Sequence, residues 1–304
     1  MPESGQRGRT QDPLAKACPG SNPGPRILGF YNGGLMLTFV GLGLYDCTDL
    51  TLRGLEALKK ADKVYLDTYT SVVPGFSIEK LERLVDRKIT PVTREVLEGN
   101  GVYSILREAK EKKIVILVPG DPFIATTHIS IRLEAENMGI KTEVIHASSI
   151  VSSAVSEAGL QVYKFGKVVT LVYPDPEVGF YPISSYEVLR DNFNRKLHTL
   201  FLLDLKEDRK MTIRDAVNVL YLLEEKVGGG LISSETLGIG LARVGSPDAV
   251  IKAGALEDLE KYDFGLPPHT LIIPGSLHPM EAEALVLLCG ADKGLVEKWM
   301  KRTK

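Results

Sequence analysis

An apolar run that stops at four consecutive turn-forming residues constrains this fold more than any other feature of the chain. The run IVILV at 114–118 is apolar throughout, which is typical of a strand covered on both faces of a parallel sheet. It is followed by PGDP at 119–122, and each of these residue types favours a tight turn. A helical pattern begins near Thr126. The sequence therefore predicts a rigid loop at the carboxyl end of a parallel strand, where open α/β sheets bind small molecules.

Strand and helix patterns alternate through the first half of the chain. Short apolar runs predict strands at 37–40, 63–67, 89–92, 114–118 and 142–146. The segments between them predict helices from about 49, at 77–85, at 102–111, and from about 126 to 138. In the first of these helices, Leu52, Leu55 and Leu58 are expected on one apolar side. The alternation predicts a mostly parallel sheet with helices on its faces.

The second half of the chain has a different pattern. It predicts strands at 168–172, 198–205, 236–244, 249–253 and 269–273, and helices at 184–196, 212–226 and 278–289. The last three strands have connections too short for crossover helices, so they should pair mainly as antiparallel neighbours. We place a boundary at 147–153, between an N-terminal α/β domain of residues 36–148 and a C-terminal α/β domain of residues 149–304. A cleft is expected between the two domains.

Composition argues against several classes of protein. The formal net charge of −2 over 304 residues argues against a nucleic-acid-binding surface covering the whole molecule. Cys18, Cys47 and Cys289 are far apart and form neither a metal-binding spacing nor a disulfide framework, which favours a reducing, cytoplasmic setting. No apolar run is long enough to span a bilayer. We expect a soluble cytoplasmic protein with no membrane partner and no direct nucleic-acid partner.

The first 35 residues lack the pattern of the rest of the chain. They contain 12 glycine and proline residues and no hydrophobic period. We expect residues 1–35 to be a disordered or wrongly assigned N-terminal extension, with Met36 as the working start.

The glycine segment GLG at 41–43 follows the first predicted strand and invites comparison with a dinucleotide-binding loop. That fingerprint needs a glycine at position 46, where this chain has Asp46. No glycine loop leads into the Gly-Lys-Ser/Thr of a P-loop, and no spacing of His or Cys residues indicates a metal site. The strand ends share small and turn-forming residues, which let backbone groups approach a polar, flat and nearly neutral ligand. S-adenosylmethionine fits that description.

Seven segments together resemble the diphthine synthase family. They are VGLGLYD at 40–46, LDTYTS at 66–71, PGDPFIATTH at 119–128, VIHASSI at 144–150, KFGK at 164–167, LHTLFLLDLK at 197–206 and PPHTLIIPG at 267–275. The resemblance extends over about 36–290, and the motifs arrive in that family's order. It implies two α/β domains of the tetrapyrrole methylase-like (class III methyltransferase) type, with the active site in the interdomain cleft.

The resemblance also implies an activity. Diphthine synthases use S-adenosyl-L-methionine to methylate the amino group of the 3-amino-3-carboxypropyl-histidine of translation elongation factor 2, leaving S-adenosyl-L-homocysteine as product. The similar archaeal enzymes are homodimers. Two alternatives stay open: another class III methyltransferase acting on a tetrapyrrole or on ribosomal RNA, and a non-catalytic module that binds S-adenosylmethionine.

Carried over motif by motif, the resemblance implies eight cofactor contacts. They are Leu44, Asp121, Ile124, Ser149, Ile150, Leu203, Val244 and His269. Each position also has a structural explanation. Asp121 could have the structural role of closing its own turn and no other. Ser149 could in the same way serve solely as the cap of the next helix, and His269 could be a structural histidine. The apolar members could be ordinary core residues.

Methylation of an amine depends on alignment and needs no covalent intermediate. A neutral amine attacks the methyl carbon in line, in a site that excludes water. No residue is assigned as a general base, and Asp67 and Tyr69, at the end of the second predicted strand, are the candidates for facing the substrate. The aromatic, proline-rich segment 173–185 could form a rim over the site, a surface loop on its own domain, or a dimer contact.

Overall fold

Five parallel strands form the first sheet. In the computed structural model, which describes residues 35–206 and 209–303, these strands are β1 (Leu37–Gly41), β2 (Lys63–Asp67), β3 (Ile89–Val92), β4 (Ile114–Val118) and β5 (Thr142–Ile145). Their spatial order is β3–β2–β4–β1–β5. Every neighbouring pair is parallel, so the carboxyl ends of all five strands lie at one edge of the sheet. The predicted parallel sheet is confirmed.

The apolar run at 114–118 is buried on both faces of this sheet. Ile114 and Ile116 of β4 belong to one hydrophobic cluster, whereas Val115 and Leu117 belong to another. Because successive side chains of a strand point to opposite faces, the two clusters cover the two sides of the sheet. A strand in this position needs apolar residues throughout, which is the pattern in the sequence.

Five α-helices occur between residues 35 and 149, the described part of this half: α1 (Leu52–Lys60), α2 (Ile78–Val85), α3 (Arg94–Leu97), α4 (Val102–Glu108) and α5 (Ile129–Asn137). Side-chain caps fix the start of two of them. The hydroxyl of Thr51 accepts from the Gly54 amide, and that of Ser77 accepts from the Lys80 amide. The short helix α3 is an element that the sequence pattern does not predict.

The first helix begins later than the sequence predicts. Asp49 Oδ2 accepts hydrogen bonds from the amides of Leu44 and Tyr45 at 2.9 and 2.7 Å, which holds Asp49 in a 3₁₀ turn before the helix. Leu52 is therefore the first helical residue and is 82% exposed. The prediction that Leu52 shares an apolar side with Leu58 is wrong, because only Leu58 of the two is buried.

The second sheet is mixed. Its strands are β6 (Val169–Leu171), β7 (Thr199–Leu203), β8 (Leu237–Ala242), β9 (Val250–Ala255) and β10 (His269–Ile273), in the spatial order β6–β7–β10–β8–β9. β6 and β7 are parallel, whereas the other neighbouring pairs are antiparallel. The predicted antiparallel pairing of the last three strands is confirmed.

The described residues from 150 onward form six further α-helices: α6 (Ile150–Glu157), α7 (Ile183–Asn194), α8 (Ile213–Val227), α9 (Leu256–Lys261), α10 (Pro279–Leu287) and α11 (Lys293–Arg302). Helix α8 starts at a capping box formed by Thr212 and Asp215. It ends at Gly228, whose φ of 67° is the left-handed conformation predicted for a C-cap glycine. The sequence pattern misses α9 and α11, although α9 lies in a connection expected to be too short for a crossover helix.

Residues 1–34, which carry most of the predicted N-terminal extension, lie outside the described residues, as do 207, 208 and 304. Leu35–Lys304 forms one compact unit. The division into domains of residues 36–148 and 149–304 stays a prediction, although each sheet is built within one of these ranges. Within the described part of the chain, no helix combines the length and the apolar character needed to cross a membrane.

Candidate active site

A cavity of about 280 Å³ lies where loops of the first sheet meet four strands of the second. The lining segments of the first sheet follow each of β1 to β5, and the strands of the second sheet are β6, β7, β8 and β10. All eight residues predicted to contact the cofactor line this cavity: Leu44, Asp121, Ile124, Ser149, Ile150, Leu203, Val244 and His269. The fold thus brings together residues spread over more than 200 positions of the chain. Their role as cofactor contacts stays a prediction.

Backbone groups of two glycines tie the loops after β1 and β4 together. The Gly43 amide donates to the Gly120 carbonyl at 3.2 Å, and the Gly120 amide donates to the Gly43 carbonyl at 2.8 Å. Both residues have positive φ, 84° and 66°, which glycine adopts without steric penalty. These paired glycines form the floor of the cavity and fix the path of the chain on both sides.

Gly41, at the end of β1, brings a third loop into this floor. A Cβ atom at Gly41 would lie 2.6 Å from the Gly120 carbonyl oxygen and 2.6 Å from the Cβ of Ala147. Real Cβ atoms do not approach other heavy atoms so closely. The loops after β1, β4 and β5 are therefore packed against one another with no room for a side chain.

Asp121 closes its own turn and also lines the cavity, so its two interpretations are compatible. The residue is buried, Oδ1 accepts from the Phe123 amide at 3.2 Å, and Oδ2 lies 2.7 Å from Nδ1 of His146.

Ala125, three residues after Pro122, also lines the cavity and has a φ of 56°. Left-handed backbone at a non-glycine residue is uncommon, and such strain is concentrated at functional sites. This turn also delays α5, which begins at Ile129 and not near Thr126 as predicted.

Ser149 likewise both caps a helix and lines the cavity. It is the N-cap of α6, and its hydroxyl accepts from the Val151 amide at 3.3 Å. Ile150 is the first residue of that helix. Both residues line the cavity, so the start of α6 forms part of the wall.

The second sheet supplies an apolar wall held by a buried arginine. Leu203 and Val244 are buried at the ends of their strands. Arg243, next to Val244, donates to both Asp248 Oδ2 and the Asp248 carbonyl, at 2.6 and 2.9 Å, and to the carbonyls of Phe264 and Leu266. These bonds occupy every nitrogen of the guanidinium group. Arg243 therefore acts as a structural clamp behind the wall.

His269, the first residue of β10, adds a buried and neutral imidazole ring to this wall. Burial lowers the pKa of His269 to about 4, and the nearby Leu266 carbonyl opposes this shift only in part. Nδ1 accepts from the Ile213 amide at 3.2 Å, so the ring proton belongs on Nε2. Within the described residues, Nε2 is buried and no group reaches hydrogen-bonding geometry with it. The carbonyls of Leu266 and Gly265 lie beside the ring, so His269 is a buried part of the wall.

Tyr69 and Asp67, the two residues predicted to face the substrate, differ in whether they reach the cavity. Tyr69 lines the cavity, whereas Asp67 is buried beneath it and is not among the lining residues. Asp67 accepts from the amides of Tyr69 and Thr70 at 2.8 and 3.1 Å and from the Thr70 hydroxyl, and His128 Nε2 lies 3.3 Å away. Burial would raise the pKa of Asp67, but hydrogen bonding from His128 and Thr70 outweighs it and lowers the pKa. Asp67 holds the loop in place.

Two charged lining residues, Arg94 and Glu98, have no counterpart among the predicted contacts. They belong to α3 and its C-cap, immediately after β3. The position of Arg94 in the sequence could have indicated its place in the cavity, because a charged residue two positions after a parallel strand must lie at the edge of the sheet where ligands bind. No residue of the segment 173–185 lines the cavity. In the part of the chain that the structure describes, no group of three or more His, Cys, Asp or Glu is arranged to hold a metal ion.

The chain is similar to known proteins over most of its length. The family model described as Tetrapyrrole (Corrin/Porphyrin) Methylases matches residues 36–260. A diphthine synthase from Staphylothermus marinus is 47% identical over 87% of this chain and 97% of its own length, and one from Methanocaldococcus jannaschii is 44% identical over 84% and 99%. A crystal structure of diphthine synthase matches with a TM-score of 0.78 and 38% identity, over 86% of this chain and 99% of that one. The chain belongs to the diphthine synthase family of methyltransferases.

Proposed function

We propose that this chain transfers methyl groups from S-adenosylmethionine to the amino group of the 3-amino-3-carboxypropyl-histidine in translation elongation factor 2. One observation carries the proposal: the eight positions that the family resemblance implies as cofactor contacts all line a single cavity. The relatives named diphthine synthase are covered by this chain over 97 and 99% of their lengths, which supports the same overall reaction.

The residues present fit S-adenosylmethionine. The cavity volume of about 280 Å³ lies near the lower limit of small-molecule sites, about 300 Å³. Its charged lining residues are three carboxylates against two guanidinium groups (Glu98, Asp121 and Asp204; Arg94 and Arg243), a balance that suits a cationic sulfonium. The neutral ring of His269 adds no positive charge to this lining.

The protein's own contribution is alignment and the exclusion of water. When bound, the cofactor supplies an electrophilic methyl group. The paired glycines Gly43 and Gly120 would hold the cofactor on one side, and the apolar surface of Leu203 and Val244 would exclude water on the other. Burial raises the pKa of Tyr69 to about 12, so its phenol remains protonated at neutral pH. Tyr69 therefore serves as a hydrogen-bond donor and not as a general base.

The test is methyl transfer to the protein substrate. The chain is incubated with S-adenosylmethionine and elongation factor 2 that carries the aminocarboxypropyl-histidine, and the mass of the factor is followed. We expect a gain of whole methyl groups, with none on the unmodified factor. Cofactor binding without transfer would contradict the proposal and direct attention to tetrapyrroles, ribosomal RNA or a non-catalytic role.

We also propose that the chain works as a homodimer in the cytoplasm. A patch of exposed apolar residues on α10 supports a self-association surface: Met280, Leu287 and Leu288 are 70, 71 and 68% exposed. The segment after α6 lies beside this helix, since the Gln161 amide donates to Glu281, and it adds the exposed Val162 and Tyr163. Sedimentation analysis of the purified chain measures the oligomeric state.

A further inference from the structure

One end of the cavity carries a pair of opposite charges side by side. Arg94 Nε lies 3.6 Å from Glu98 Oε2, and both residues line the cavity. They are four positions apart in the chain, a spacing that brings side chains together on a helix. Their side chains are 65 and 35% exposed. The pair therefore remains accessible to a ligand.

Glu98 is held in place by the cavity loops. Its Oε1 accepts from the Tyr69 hydroxyl at 3.2 Å and from the Thr127 hydroxyl at 2.8 Å, and both donors line the cavity. The ion pair of Lys293 and Glu297 has the same spacing in sequence but is 4.0 Å apart and more exposed. Unlike such a solvated pair, the Arg94–Glu98 pair is oriented by residues that follow β2 and β4.

Arg94 also has unused hydrogen-bonding capacity. Within the described residues its side chain forms no hydrogen bond, and its neighbours are Glu98 and the Tyr69 ring, 5.1 Å from Cζ. A guanidinium group has five donors in a planar fork that matches a carboxylate. Arg243, by contrast, has its nitrogens occupied by protein acceptors. Of the two arginines that line the cavity, Arg94 is the one able to bind an anionic group of a substrate.

We propose that Arg94 and Glu98 recognise the amino-acid head group of the substrate, with Arg94 binding its carboxylate and Glu98 facing the nitrogen that is methylated. The inference rests on the proposed function, since the 3-amino-3-carboxypropyl group bears an amine and a carboxylate on one carbon. Such a group presents opposite charges side by side and needs a cation and an anion at close spacing. Methylation leaves more positive charge on the nitrogen than the attacking amine had, and the Glu98 carboxylate offsets that charge.

The test compares binding of two forms of elongation factor 2, one with the aminocarboxypropyl group and one without it. Dissociation constants are measured for the wild-type chain and for Arg94→Gln, with S-adenosylhomocysteine at saturation so that no turnover occurs. We expect the wild-type chain to bind the modified factor about tenfold more tightly than the unmodified one, the strength of one charged hydrogen-bonded contact. Arg94→Gln should remove this preference and leave the affinity for S-adenosylhomocysteine unchanged.

The matched control is Arg107→Gln, which removes an exposed arginine of α4 outside the cavity. It should keep the full preference for the modified factor. Glu98→Gln is a second variant, and it should lower the rate of transfer at saturating substrate more than it weakens binding. A merely structural pair would instead lower cofactor affinity and thermal stability in both cavity variants, with the preference intact.

The outcomes separate this inference from the proposed function. A wild-type chain that does not distinguish the two forms of the factor, or an Arg94→Gln chain that still does, overturns the inference even if methyl transfer is observed. Preferential binding that depends on Arg94 but leads to no methyl transfer supports the recognition site and overturns the proposed reaction.

Discussion

The two sheets contribute to the cavity in different ways. All five strands of the first sheet are parallel, so several loops meet at one edge and bring glycine backbones and charged side chains to one place. The second sheet meets the cavity with β6, with the ends of β7 and β8, and with the start of β10, because β10 is antiparallel to both β7 and β8. It contributes mainly apolar surface. The parallel sheet therefore brings polar groups to the cavity, whereas the mixed sheet provides a mainly apolar wall.

The second half contains a buried charge network around Glu281. Glu281 is 1% exposed and accepts from Lys164 Nζ at 2.7 Å, from the amides of Gln161 and His278, and lies 3.1 Å from His198 Nε2. Burial would raise the pKa of Glu281, but hydrogen bonds from His198, Lys164 and the two amides outweigh it and lower the pKa from 4.5 to about 2. In the first half, Glu108 pairs with Lys63 at a more exposed position.

Glu281→Gln should have the largest effect, a loss of about 3 kcal/mol in the free energy of unfolding at pH 7. Because the pKa is lower in the folded state, the carboxylate stabilises fully above pH 4.5 and this contribution disappears as the pH falls toward 2. Urea denaturation at pH 7 and pH 3 measures both effects. Glu108→Gln is the control, with an expected loss below about 1 kcal/mol. Equal losses in the two variants would contradict the difference between the buried Glu281 site and the more exposed Glu108 site.

Gly41→Ala tests the glycine floor. The added Cβ would overlap the Gly120 carbonyl oxygen and the Ala147 side chain, so we expect a loss of about 2 kcal/mol in stability together with weaker cofactor binding. Gly254→Ala in β9 is the matched control, because its nearest contacts would be 3.7 and 3.9 Å. Its stability should change by less than about 1 kcal/mol. Calorimetry of unfolding and of cofactor binding checks both, and an unaffected Gly41→Ala chain would refute the close packing of the three loops.

Asp121→Asn tests a polar contact of the first sheet. The asparagine keeps the size of the side chain but loses the charged interaction with His146 and weakens the bond from the Phe123 amide. We expect S-adenosylmethionine to bind about tenfold more weakly, or about 1.4 kcal/mol. Asp86→Asn is the control, since Asp86 lies outside the cavity and asparagine tolerates its left-handed φ of 52°. If both variants bind the cofactor like the wild-type chain, Asp121 is only a turn residue.

Leu203→Met should have the smallest effect. Methionine fills a similar volume, so the apolar wall keeps its shape and we expect cofactor affinity to change by less than about 1 kcal/mol. Leu271→Met, in the same hydrophobic cluster but outside the cavity, controls for a general effect on packing. A large loss of affinity in Leu203→Met alone would mean that the wall discriminates as strongly as the loops do.

Much of the fold follows from local sequence signals. The buried strand at 114–118 and the capped helix α8 carry complete signals in their own residues, and the structure has both. Leu52 shows the limit of such reasoning, because its exposure depends on Asp49 bonding to the backbone of an earlier loop. Helix α3 has only four residues, too few to produce a hydrophobic period.

The sequence likewise predicts some residues of the candidate site and misses others. Seven of the eight predicted contacts stand in recognisable motifs, Val244 being the exception, and the structure gathers all eight around one cavity. Arg94 and Glu98 stand outside those motifs, and their relation to Tyr69 and Thr127 depends on the order of strands in the sheet. A pattern along the chain cannot report that order.

The reciprocal bonds between Gly43 and Gly120 have a thermodynamic consequence. Each glycine amide can exchange its hydrogen with solvent only when its bond to the other loop is broken, so we expect the two amides to exchange together. The conformational entropy of both loops is lost when the chain folds and not when a ligand arrives. A ligand that binds against this floor therefore does not have to order it, and more of its interaction energy is retained as affinity.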